Sequence, residues 1–374
     1  MQVKNKKILI ICSLPPPFHG MTIFNYNLLN SKIKNLFKII HLDTSDRRNF
    51  DNLGKLDFIN VYLGLKNIFQ LIFLLLKERP EIVYLNIAQN KAYLRDGLFI
   101  IITKLFSKSK IVVHNHGIFK DFYDSTNLFM RSFIDFTLRG VDTFIVLGNC
   151  LKYTVQKWSK YTEVVPNGVD FNCSINSKFK PKKTLTVSYM GMFFKKKGII
   201  DLLEAAKIVC DKILDVRFKF AGLWWRQEED VKDYALRFIQ NNNLSDKIEF
   251  LGFLLGKEKE KFLLDTDIFV LPTYYDAFGI VLIEAMAAGC PVISTRVGAI
   301  PEIVIEGETG ILVKKHNPKA LADAIIYLIE NPDIREKMGR AGRKRYEECY
   351  TLDKNIEGMI RVFNKVLLND KKRG

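Results

Sequence analysis

Three absences narrow the reading of this chain. Its six cysteines, at 12, 150, 173, 210, 290 and 349, include no Cys-x-x-Cys pair. That argues against a disulfide framework or thiolate metal site and for reduced, mainly buried thiols in a cytoplasmic protein. Neither a Gly-x-Gly-x-x-Gly nor a Walker A sequence occurs, so dinucleotide enzymes and P-loop NTPases lose their main support. No apolar run approaches the ~20 residues that span a bilayer. The most apolar stretch, Ile68 to Leu76, is too short, and the lysine-led run Ile8-Leu9-Ile10-Ile11-Cys12 leads into Pro15-Pro16-Pro17 without a cleavage-like segment. That start reads as a first β-strand, not a signal peptide. The expectation is a soluble protein, or one peripheral at the inner face of the cell membrane.

What is present fits two globular domains. With 374 residues, 48% hydrophobic and 26% charged, the chain can bury two cores. Its net charge of +16 leans toward the first half: residues 1–170 hold 23 basic and 13 acidic residues, against 34 and 28 in residues 171–374. An anionic membrane surface or a diphosphate-bearing lipid acceptor suits that excess. No basic stripe interleaved with aromatics appears, so nucleic acid is not an expected partner.

Short apolar runs alternate with amphipathic segments throughout. Strands are expected at Lys7–Cys12, Phe37–Leu42, Ile82–Leu85, Ile111–His114 and Thr143–Leu147, then at Leu185–Met190, Arg217–Ala221, Ile248–Leu251, Ile268–Leu271, Pro291–Thr295 and Gly310–Val313. Near-continuous apolar strands separated by helices predict parallel sheets covered on both faces. The fold class is therefore α/β, with two facing doubly wound, Rossmann-like domains and the active site between them, outside the carboxyl ends of the strands. The domains are expected at 1–170 and 171–345, joined near Pro166-Asn167-Gly168, with closing helices over 346–374. The apolar helices at Val61–Leu76 and Leu94–Phe106 are read as core first, although with the basic first half they also hint at a membrane-linked acceptor.

The most informative segment runs from Tyr275 to Val292. Asp276 precedes a Phe278-Gly279 pair and a short helix, and Glu284 projects from the second turn of that helix. A helix start offers unpaired N–H groups and a positive dipole end to a diphosphate, here at Ile280 and Val281. A carboxylate beside it can accept hydrogen bonds from vicinal sugar or ribose hydroxyls. Three further loops follow strands. Pro15-Pro16-Pro17-Phe18-His19-Gly20 brings a glycine to a helix start. His114-Asn115-His116-Gly117 closes a strand, and its two rings are read as pointing to opposite faces; two histidines are too few for a metal site. Gly191-Met192-Phe193-Phe194-Lys195-Lys196-Lys197-Gly198 carries lysines that can neutralise a diphosphate.

The acidic-x7-acidic pattern of Asp276 and Glu284 resembles the signature of the retaining glycosyltransferases of family 4, of the bacterial cell-surface polysaccharide type. Weaker matches at Pro166–Asp170, Ala221-Gly222, Leu251-Gly252, Gly298–Val304 and Met338–Arg343 extend the likeness over most of the chain. The resemblance implies the two-domain GT-B fold, with a final helix crossing back onto the first domain. It implies transfer of a sugar from a nucleotide sugar, a UDP-sugar before a GDP-sugar, to a hydroxyl of a glycan or polyprenyl-diphosphate-linked acceptor. No cofactor and no metal are implied. His116, Lys197, Asp276 and Glu284 take the catalytic positions, and Gly20, Gly191, Lys196, Phe278, Gly279, Ile280 and Val281 join the donor site. The sequence departs from the family in three places: Asp276 stands where Glu is usual, Met192 where Arg is usual, and only Gly20 remains of a glycine pair. A catalytically weak homologue that binds nucleotide sugars or proteins, or a nucleotide-sugar epimerase, stays open as an alternative.

Overall fold

A computed structural model describes residues 5–16, 20–48, 58–175 and 178–371. The chain forms two compact units, 1–167 with 352–374, and 168–351. Each is built on a six-stranded sheet whose strand pairings are all parallel.

In the first unit the sheet runs β2 (Lys38–Asp43), β1 (Lys7–Cys12), β3 (Ile82–Asn86), β4 (Lys110–Asn115), β5 (Thr143–Val146) and β6 (Thr162–Val164). The central strands are buried along nearly their whole length, which is why they read as unbroken apolar runs. The chain enters at β1, turns outward through helix α1 (Gly20–Leu29) to β2, and then returns to β3. The strand order therefore reverses between β1 and β3. The last helix of the chain, α13 (Leu352–Lys371), supplies Ile356, Met359, Val362 and Phe363 to the core that Ile8, Ile10, Phe24, Leu28 and Tyr84 build. The Phe363 ring meets Tyr84 and Phe37 edge-on, and Asn355 Nδ2 donates to the Pro166 carbonyl at 2.6 Å.

Three helices lie side by side on this unit: α2 (Phe58–Glu78), α3 (Tyr93–Phe106) and α5 (Leu128–Leu138); α4 (Phe119–Ser125) precedes α5. The core reading holds for α3, which buries Tyr93, Phe99 and Ile100, but not for α2, which buries only Asn67, Leu71 and Leu75. The length expectation also needs correction. At 21 residues α2 is long and apolar enough to cross a membrane. Lys66, Asn67 and Gln70 break the run in sequence without breaking the helix, because Lys and Gln are good helix formers and a single Asn costs under ~1 kcal/mol.

In the second unit the order is β12 (Gly310–Val313), β11 (Val292–Thr295), β10 (Ile268–Leu271), β7 (Leu185–Met190), β8 (Val216–Ala221) and β9 (Ile248–Gly252). Here the chain enters at β7 and moves outward to β9 through α6 (Ile199–Lys212) and α7 (Glu229–Asn241). It returns through α8 (Gly256–Asp265) to β10 and continues through α9 (Ile280–Ala287). The reversal falls between β7 and β10. In open sheets that point is where ligands bind. The unit closes with α10 (Ile300–Ile303), α11 (Pro318–Glu330) and α12 (Pro332–Cys349).

Candidate active site

The loops after β7, β10 and β11 converge at the switch point of the second unit. The β7 loop begins at Gly191, whose N–H donates to the Ala221 carbonyl of β8 at 2.9 Å. Tyr189 Oη donates to the Met192 carbonyl at 2.9 Å, holding the loop to its own strand. Lys195 turns away: its amine meets Asp230 and its N–H meets Glu228, each at 2.7 Å. The Lys196 carbonyl accepts from Tyr274 N at 2.8 Å and from Thr273 Oγ1 at 3.2 Å, and its amine lies over the Tyr275 ring. The β7 and β10 loops are thus joined backbone to backbone. Two further contacts hold β11 and its loop in place: the side-chain hydroxyl of Thr295, at the end of β11, donates to the Thr273 carbonyl, and Ala299 N donates to the Ala277 carbonyl at 2.9 Å.

This framework brings Lys197 and Asp276 together, with Nζ to Oδ2 at 2.5 Å. The other carboxylate oxygen of Asp276 accepts from the N–H groups of Phe278 at 3.1 Å and Gly279 at 3.0 Å. Asp276 is therefore fixed at three points and folds the chain into the start of α9. Gly279 occupies the N-cap in the left-handed region, φ 81°, and supplies no side-chain cap. The first-turn N–H groups at Ile280 and Val281, which no α-helix satisfies internally, therefore meet no capping oxygen from that position. The helix α6, starting after Lys197-Gly198, likewise has no side-chain cap.

Glu284 sits one turn on from Ile280 and Val281, and all three are partly exposed. Its Oε1 accepts from Lys259 Nζ of α8 at 2.8 Å. Sequence reasoning missed Lys259, which lies in the ordinary-looking charged run Lys257-Glu258-Lys259-Glu260-Lys261. Phe278 is turned inward, 3% exposed and edge-on to Tyr350, so only its backbone lies at the turn. Among the described residues no group of three or more His, Cys, Asp or Glu side chains is placed to hold a metal ion.

Gly20 and His116 belong to the first unit. Gly20 is the exposed first residue of α1; Pro17, Phe18 and His19 lie outside the described residues. His116 follows β4 with its ring 3.9 Å from that of His114 and 5.0 Å from Phe24. The expected opposite-face arrangement is wrong, because side chains two apart on a strand share a face. His114 is fully buried and bonded to Tyr84 Oη at 2.8 Å, while its Nε2 has no partner. His116 remains partly open to solvent and donates from Nε2 to Asn86 Oδ1 at 3.1 Å, while Asn86 Nδ2 donates to Asn25 Oδ1 at 2.7 Å, which orients the Asn86 amide. This network joins α1, β3 and β4 at the carboxyl ends of the strands. Neither asparagine was legible as part of it, since its members are 30 and 61 residues apart in sequence.

Burial pushes the His116 imidazole down to about 4 and, with the neighbouring His116 ring as a second cause, holds His114 well below its ordinary range. Both rings are neutral at pH 7. The unfolded chain takes up protons near the ordinary value of ~6.5 and the folded chain does not. Stability is therefore unaffected by these groups above that pH and lost as pH falls toward 4. In pH-dependent melting, His116→Asn should show a shallower loss between pH 6.5 and 4 than wild type. An unchanged slope would contradict neutral burial.

Comparison with known proteins agrees with this architecture. Capsular polysaccharide biosynthesis glycosyltransferase CapM of Staphylococcus aureus is 27% identical over 97% of this chain and 99% of its own. Several other curated relatives match over about half of each chain; an uncharacterized glycosyltransferase of Methanocaldococcus jannaschii is 34% identical over 48% of this chain and 47% of its own. Among solved structures, HepE of Anabaena in complex with UDP superimposes with a TM-score of 0.75 at 16% identity, covering 96% of this chain and all of that one. The fold is of the GT-B type. Residues 171–345, which include the three converging loops, match the family model of the glycosyl transferases group 1.

Proposed function

We propose that this protein is a retaining, metal-independent glycosyltransferase. It moves a sugar from a nucleotide sugar to a hydroxyl of a glycan or polyprenyl-diphosphate-linked acceptor in cell-surface polysaccharide synthesis. One observation carries the reading: an α9 start without a side-chain cap from Gly279, flanked by Lys197, Asp276 and Glu284 at the strand-order reversal. Such a start accepts a diphosphate. Lys197 supplies positive charge at its rim, and Glu284 offers acceptor oxygens to ribose hydroxyls, sharing Lys259. Asp276 keeps its shorter side chain engaged with the turn and faces the sugar. CapM, named for capsular polysaccharide synthesis, supports the process. The UDP held by HepE supports a uridine donor.

In the proposed reaction the bond from the anomeric carbon to the diphosphate oxygen breaks as the acceptor oxygen bonds to the same face. The acceptor proton passes to the departing phosphate, so no protein base is required. Lys197 and the helix start stabilise the charge that develops on the leaving group.

A thermal-shift panel of UDP-, GDP- and ADP-sugars without added metal tests this. Binding to the folded state raises the melting point by mass action. UDP-sugars should give the largest shift, and Glu284→Gln should remove most of it while the unliganded melting point changes by only a few degrees. Absence of any shift from folded protein would reject the donor site.

A further inference from the structure

The apolar face of α2 faces solvent. Phe58, Tyr62, Leu65, Phe69 and Leu76 recur at spacings of four, three, four and seven, which align on one stripe of a helix. Phe58 is 95% exposed and Phe69 70%. The opposite face, with Asn67, Leu71 and Leu75, is buried where α2 packs on β2 and α3. The helices packed in sequence beside it expose apolar side chains as well: Leu105 and Phe106 of α3, and Leu128, Phe129 and Phe136 of α5. A run of exposed apolar side chains along one helix face marks a binding surface.

Charge selects among occupants. Lys66 and Lys77 stand eleven residues apart, three turns, and each follows a stripe residue by one position. They therefore form a basic flank along the same side of the stripe. On that flank a cavity of about 840 Å³ opens between α2 and the end of β2, walled by Lys66, Ile59 and Phe73; its two arginines are already paired, Arg47 with Asp43 and Arg48 with Asp46, so Lys66 is the cation it leaves to the surface. Residues 1–170 carry a net charge of +10. A second copy of the chain would meet that surface with like charge, whereas anionic lipid complements it. Because one face of α2 is packed against its own unit, the helix lies along a bilayer instead of crossing it.

We propose that α2 docks this protein onto an anionic membrane surface, with its Phe58–Leu76 stripe in the acyl boundary and Lys66 and Lys77 at the headgroups. The inference adds a location to the proposed sugar transfer but does not depend on it.

The full chain is floated with vesicles of phosphatidylcholine alone and of phosphatidylcholine with 30% phosphatidylglycerol (about the proportion that gives a strongly negative surface). Leu65→Glu/Phe69→Glu, both at exposed positions, serves as the variant, with its melting point as a folding control. Wild type should float with the anionic vesicles, and the variant should lose at least tenfold in partitioning while melting like wild type. No flotation of wild type, equal flotation of the two proteins, or equal flotation with the neutral vesicles would overturn the proposal. So would a vesicle-free dimer that the double substitution dissociates, since the face would then join two copies. Binding of a UDP-sugar is read separately in the thermal-shift panel, so failure of one reading leaves the other standing.

Discussion

Replacing Lys197 by alanine should lower kcat by about 10²–10³, the usual cost of losing one preorganised donor to developing charge. The effect should fall on kcat more than on KM, because charge on the diphosphate grows mainly in the transition state. The fold should persist. The Lys197–Asp276 pair is partly exposed, and pairs of that kind contribute ~0–1 kcal/mol. Asp276 also keeps both of its backbone donors, Phe278 and Gly279. Lys197→Arg should recover part of the loss, since it restores charge on a different geometry. A kcat for the alanine variant within threefold of wild type would show that another group carries the leaving-group charge. Lys195 is poorly placed for that role, because Glu228 and Asp230 occupy it. Lys196 would become the next residue to replace.

The architecture was legible because parallel strands buried on both faces leave unbroken apolar runs. The limits of β1, β7, β10 and β12 were readable to the residue. By contrast, β6 is a three-residue edge strand, Thr162-Glu163-Val164, only partly buried, and leaves no such run. Helix α2 shows a different limit. Apolarity gives a helix's composition but not which side the protein covers, and a helix apolar on nearly every side reads as core. The histidine pair failed on parity alone. In the candidate site, the α9 segment was legible because its parts lie within nine residues, from Asp276 to Glu284. Lys259 is 25 residues from Glu284, and Asn86 30 from His116, with nothing local to link them. The pairing of Lys197 with Asp276 spans 79 residues and emerges only from the adjacency of β7 and β10.

That adjacency depends on a backbone approach that can be tested without substrate. Gly198 adopts φ 73°, and a Cβ there would lie 2.0 Å from the Pro272 carbonyl oxygen. Gly252 has the same φ of 73° with nothing within 4 Å of its added Cβ. Alanine at Gly252 should therefore cost the left-handed strain alone, roughly 1–2 kcal/mol. At Gly198 the same strain is joined by overpacking of ~1–3 kcal/mol, because the obstacle is backbone and not a side chain that can swing aside. Gly198→Ala should thus be destabilised by about 2–5 kcal/mol. For a domain of this size each kcal/mol lowers the melting point by roughly 2–4 °C. The clash should also push the Lys196-Lys197 segment away from Thr273 and Tyr274, breaking the Tyr274 N to Lys196 carbonyl bond. Gly198→Ala should then lose donor-induced stabilisation even below its melting point, whereas Gly252→Ala keeps it. Equal melting points for the two variants would mean that the loops can part at no cost. The Lys197–Asp276 geometry would then not be set by the approach of the β7 loop to β10.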